Sequence, residues 1–172
     1  MAGTTNDNRS ALHCTFTSGE YQGTTYKAYY GGAVRIPGSN PSNPDPTQPT
    51  DAITVECFVC TTNTTVPNTF MPIFGKRRGN GWTSETYALY AQANGKLALR
   101  IFTDQTYIKG YNSEPYGTHA INDGVWHHVA FTYDKESGVA KVYVDYELDQ
   151  THQLTAGAAL TYDTSATLNY HA

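Results

Sequence analysis

Positive charge is scarce in this chain of 172 residues: Lys and Arg number 11 against 15 Asp and Glu, for a formal charge of −4. General nucleic-acid binding needs a basic field, so that role is excluded. No apolar run approaches the length of a membrane span. No hydrophobic leader core follows Met1-Ala2-Gly3-Thr4-Thr5, so either the protein stays inside the cell or a leader lies outside this sequence. Sustained helical periodicity is missing as well. Cysteine is sparse, at Cys14, Cys57 and Cys60, and the odd count leaves at least one thiol unpaired within the chain. Cys57 and Cys60 have redox or zinc spacing, but they fall in Ile53–Cys60, which reads as a strand. Residues three apart on a strand face opposite ways, and no second pair completes a zinc site. Both are expected to be packing cysteines.

What the chain does have is tyrosine, 14 residues of it, with abundant Gly and Thr. This composition favours strands and turns. Short β-prone runs recur at Ala11–Thr17, Gly32–Pro37, Ile53–Cys60, Phe70–Lys76, Tyr87–Ala91, Lys96–Phe102, Val125–Tyr133 and Val139–Asp145. Asn94-Gly95 is a hairpin signal, and Asn122-Asp123-Gly124 and Asp134–Gly138 are turns. On the long run, Val125, His127, Val129, Phe131 and Tyr133 share one face; Trp126, His128, Ala130 and Thr132 share the other. Many short strands between turn residues predict a sandwich or barrel. The length suits one domain over 1–172, with 1–10 flexible and the proline-rich stretch 38–50 a surface loop.

The segment Asn122-Asp123-Gly124-Val125-Trp126-His127-His128-Val129-Ala130-Phe131-Thr132-Tyr133-Asp134 resembles the "DGxWHHVAxTYD" signature of laminin-G-like jelly rolls. Val142-Tyr143-Val144-Asp145 is similar to the family's "LYVDG" return, Ile53–Val59 to its "FTVEAWV", and Pro72–Lys76 to its "ILSKG". The resemblance runs in family order from about Ala33 to Leu168. It implies a two-sheet antiparallel jelly-roll β-sandwich of the concanavalin-A-like kind, in an extracellular or cell-surface setting. Three departures stand out. Cys57 replaces a small residue. Tyr146 follows Asp145 where Gly is usual, so a wider hairpin is expected there. The family's closing strand has no counterpart before Ala172. An open sheet edge would remain unless Ala11–Thr17 fills it, and such an edge invites a homo-oligomer.

Several constellations bear on chemistry. His127 and His128 are adjacent on a strand and cannot share one metal, so packing with a hydrogen-bonded imidazole is the expected role. Asp145, Glu147 and Asp149 would share a face on a continuous strand, as carboxylates for glycoside hydrolysis do. The laminin-G-like alignment puts Asp145 at a turn, which breaks that face. Calcium is implied by the resemblance, with Asp104, Asp123 and Asp134 in or beside loops. Lys76-Arg77-Arg78 is a short basic run. Asn8-Arg9-Ser10 and Asn63-Thr64-Thr65 fit the glycosylation pattern. Trp82, Tyr107, Tyr111 and Tyr116 are aromatics in polar loops, suited to stacking on sugar faces, with Lys109 and Asn112 for directed hydrogen bonds. Three roles follow: a non-catalytic module binding a carbohydrate or protein ligand, a glycoside hydrolase using Asp145/Glu147/Asp149, or an adhesion and assembly domain.

Overall fold

The computed structural model describes residues 14–21, 24–31, 49–62, 71–77, 85–92, 94–108 and 117–162. These form ten strands and no helix. The chain divides into two compact units, Met1–Pro44 with His171–Ala172, and Asp45–Tyr170. Among the described residues no helix is long and apolar enough to cross a membrane.

In the first unit, β1 (Cys14–Tyr21) and β2 (Thr24–Gly31) make an antiparallel hairpin. The pair is a two-stranded sheet; of the run Ala11–Thr17, residues 11–13 lie outside the described residues. The run Gly32–Pro37 and the stretch 38–48 lie outside the described residues, as do residues 1–10.

The second unit holds two four-stranded antiparallel sheets, as expected of a sandwich. One has the order β10 (Glu147–Gln153), β9 (Val139–Val144), β8 (Trp126–Asp134), β3 (Ala52–Cys60). The other has the order β4 (Met71–Arg77), β5 (Glu85–Ala91), β6 (Leu97–Phe102), β7 (Tyr107–Ile108). Strand alternation explains the core. Val129, Phe131 and Tyr133 of β8 and Ala140, Val142 and Val144 of β9 point inward, against Leu89, Leu97, Leu99 and Ile101 of the facing sheet. Phe131 is the hinge of this packing, with ring centroids 5.6 Å from Tyr87 and 5.8 Å from Phe74. From β3, Ile53, Val55, Cys57 and Val59 close the core.

Three local features differ from the sequence expectation. The β9–β10 connection is tight rather than wide: Val144 pairs with Glu147, and Asp145 (φ 49°) and Tyr146 (φ 70°) both adopt left-handed backbone. A two-residue hairpin of this kind needs positive φ at both central positions, whatever residues occupy them. Val125 is exposed and precedes β8, so it does not join the core face. Cys60 is exposed, with its thiol donating to the Gly124 carbonyl at 3.3 Å; of this pair, Cys57 alone packs on the core. In addition, β6 is buried on both faces, with Ala98 and Arg100 covered and the Arg100 guanidinium 5.2 Å above the Tyr90 ring.

Candidate functional site

Of the loop residues singled out in the sequence, Trp82, Lys109, Tyr111, Asn112 and Tyr116 lie outside the described residues. Tyr107 is described: it sits in β7, exposed, with its ring 5.4 Å from Phe102 and nearly parallel to it.

The three carboxylates proposed for hydrolysis do not share a face. Asp145 is in the turn, Glu147 opens β10 and is exposed, and Asp149 occupies a β-bulge between Leu148 and Gln150. The bulge turns the strand, and the Asp149 side chain is fully buried against the segment 117–119. There its Oδ1 accepts from the Thr118 N–H (2.9 Å), the Thr118 hydroxyl (2.8 Å), the His119 N–H (3.1 Å) and His119 Nδ1 (2.7 Å). Burial pushes this carboxyl up, but the bonds from His119 and Thr118 outweigh it and hold it at about 2. Gly117 has to be glycine: a Cβ there would stand 2.1 Å from Asp149 Oδ2.

The calcium candidates are likewise occupied separately. Asp104 accepts from the Ala159 N–H, Asp123 from the Val125 N–H, and Asp134 from the N–H and hydroxyl of Ser137. Among the described residues no three His, Cys, Asp or Glu converge as metal ligands. These three aspartates therefore do not fit a shared calcium site.

The two histidines diverge as their alternation requires. His127 bridges two carboxylates: Nδ1 lies 2.8 Å from Asp145 Oδ2 and Nε2 lies 3.0 Å from Asp123 Oδ1. Both ring nitrogens face acceptors, which suits the imidazolium, in which both donate. The bond to Asp145 raises the His127 pKa against its burial, and Asp123 adds to the rise. The same bond lowers the Asp145 pKa. Asp145 Oδ1 also accepts the His128 N–H at 3.0 Å, so this one carboxylate ties the turn to β8 twice.

His128 points to the opposite face and organises an exposed aromatic row there. Register sets Phe58 of β3 directly beside it, with ring centroids 5.3 Å apart in an edge-on arrangement. On its other side the Tyr146 ring stacks on it at 4.2 Å and 11°. Two residue pairs along, and so next on the same face, lies Trp126 opposite Cys60, and one row the other way Leu148 pairs with Tyr143. Phe58, Trp126, Tyr146 and Leu148 are 61%, 55%, 72% and 54% exposed. Glu56, on the same face of β3, reaches to 3.3 Å from His128 Nε2. Contiguous apolar groups held in water are the mark of an interaction site, where isolated ones are not. Alternation alone puts Trp126 and His128 on one face; Phe58 and Tyr146 join them only through strand register and the turn. The available signal was Phe58 itself, a large aromatic on the outward phase of an otherwise regular alternation.

A laminin-G-type family model, described as the concanavalin A-like lectin/glucanases superfamily, matches residues 28–170. The match spans most of the chain, and the chain belongs to this superfamily. The jelly-roll sandwich expected from the Trp-His-His segment is therefore the fold. Among solved structures, the chain is similar to a native heptameric SAP-like pentraxin from Limulus polyphemus, at 17% identity and a TM-score of 0.36. That similarity covers 72% of this chain and 58% of the pentraxin chain, so this chain spans little more than half the pentraxin's length. No curated protein matches.

Proposed function

We propose that the chain is a non-catalytic binding module of a secreted or surface protein, and that carbohydrate is its ligand. One observation carries the reading: the exposed row Phe58–His128–Tyr146, extended by Trp126, on the outer face of the β3–β8–β9–β10 sheet. Pyranose rings present flat C–H faces that stack on such side chains, while their hydroxyls seek carboxylates and phenols at the edge. Glu56 and the phenols of Tyr143 and Tyr146 supply that second kind of contact. Membership of a superfamily that includes lectins supports the reading, although fold alone does not fix function. Tyr107 of β7 and the residues Trp82, Lys109, Tyr111, Asn112 and Tyr116 are proposed as a second contact set.

A glycan array tests the proposal. The intact chain is expected to give reproducible signal that Trp126→Ala or Phe58→Ala abolishes, with no release of reducing ends from the bound glycans. Signal lost in Tyr111→Ala but kept in both sheet-face variants would move the site to the loops. Steady release of reducing ends would make the protein a hydrolase. Self-assembly is the second reading, because β3 is an outer strand paired on one side only among the described residues. A blank array with dimers in light scattering would favour it.

A further inference from the structure

The aromatic row carries information about the charge of what it binds. Glu56 stands on the face beside His128, with its side chain 66% exposed. Asp145 precedes Tyr146 in the turn and is 52% exposed, Glu147 follows it and is exposed, and Asp123, 56% exposed, lies on the far side of His127. Against these carboxylates the described residues of the same region offer two cations. His127 lies beneath Asp123 and Asp145, with 13% of its side chain exposed, and is already engaged by both. Lys141 is half-buried and lies one row beyond Glu56, opposite Thr132. The basic run Lys76-Arg77-Arg78 belongs to the other sheet and the residues after it. Sulfate or carboxylate groups on a sugar call for Arg or Lys in reach of the stacking plane. Among the described residues the side chains beside the stacking plane are acceptors.

The row is also held in place before any ligand arrives. Tyr146 stacks on the ring of His128, and its chain neighbour Asp145 is tied to His127 and to the His128 N–H. A fixed plane loses little freedom on binding and suits a rigid, repeating partner.

We propose, resting on the carbohydrate reading above, that this sheet face takes an uncharged polysaccharide. Its pyranose rings lie on Phe58, Tyr146 and Trp126, and its hydroxyls donate to Glu56 and Asp145. Sulfated, uronic and sialylated glycans are turned away by Glu56, Asp145 and Glu147. The selectivity is an electrostatic property of the rim and not of the aromatic plane, so the two can be separated by mutation.

Affinity electrophoresis in native gels is the test. Gels carry hydroxyethyl cellulose, glucomannan, soluble β-glucan or heparin, and suspensions of cellulose and chitin are used for pull-down. The intact chain is expected to be retained by at least one uncharged polysaccharide and not by heparin. Trp126→Ala and Phe58→Ala should each weaken that retention at least tenfold while melting within a few degrees of the parent. Glu56→Lys should create retardation in heparin. Retention by heparin alone, or equally by heparin and uncharged gels, overturns the charge assignment and leaves carbohydrate binding intact. Retention by uncharged gels that survives in both aromatic variants overturns the assignment to this face. No retention in any medium overturns this inference together with the carbohydrate reading.

Discussion

Replacing Asp149 with Asn keeps the shape of the side chain and removes its charge, at the point where the edge strand grips the segment 117–119. Four donors converge on one carboxylate oxygen there. An ordinary carboxyl titrates at 3.8, and this one is held at about 2. The gap corresponds to an upper figure of about 2.4 kcal/mol, at ~1.4 kcal/mol per tenfold change in proton affinity. His119 is half exposed, and water there screens the interaction. About 1–2 kcal/mol is the working magnitude after that discount. The amide of the variant also turns an N–H toward donors, which removes any gain from its neutrality. For a chain of this size the melting temperature should fall by about 3–6 °C at pH 7. The folded value lies below the unfolded one, so the stabilisation is complete above pH 4–5 and fades as pH falls toward 2. The parent and Asp149→Asn should therefore differ most at neutral pH and converge near pH 2–3. Thermal melts followed by circular dichroism at pH 7, 5, 4 and 3 read this directly. A difference that stays constant from pH 7 to pH 3 refutes the charge-based account of the latch.

Two further predictions use the same geometry. Tyr146→Ala keeps the left-handed backbone and loses the stack on His128, costing about 0.5–1.5 kcal/mol, while Tyr146→Gly loses the stack but relieves ~1–2 kcal/mol of backbone strain. Urea denaturation should rank Gly above Ala by about 1 kcal/mol, and the reverse order would show that the turn is not left-handed. Burial pushes the Cys57 thiol up to about 11, whereas Cys60 is exposed. Iodoacetamide at pH 8 should alkylate Cys60 at least tenfold faster than Cys57, by peptide mass mapping of the native chain; equal rates would place Cys57 outside the core.

Much of the sandwich was legible because one face of each strand is apolar and the other is not. β3 and β9 follow strict alternation, so their inward residues could be read off by parity, whereas β8 is buried on both faces from His128 to Phe131. The β5–β6 hairpin announced itself through Asn94-Gly95, and Gly95 takes a φ of 77°. Three things escaped that kind of reading. The second buried face of β6 contains Arg100, whose burial depends on the Tyr90 ring of the neighbouring strand. The bulge at Asp149 has no local signal, since it exists to bring a carboxylate to residues thirty positions away. The Asp145–Tyr146 turn lacks the usual glycine because tertiary contacts, the bridge to His127 and the stack on His128, hold it instead. The candidate site escaped for a related reason: Phe58, His128 and Tyr146 are distant in sequence and become neighbours only through strand register.

The latch at the edge strand has an architectural consequence. The Gly117 N–H bonds the Leu97 carbonyl, and the Gln150 amide reaches the same oxygen. The segment that enters β8 is thus fastened at Gly117 and Thr118 to β6 on one side and to β10 on the other. One knot of polar groups therefore couples strands from both sheets, and loosening it would slacken the seam between the two layers rather than a single turn.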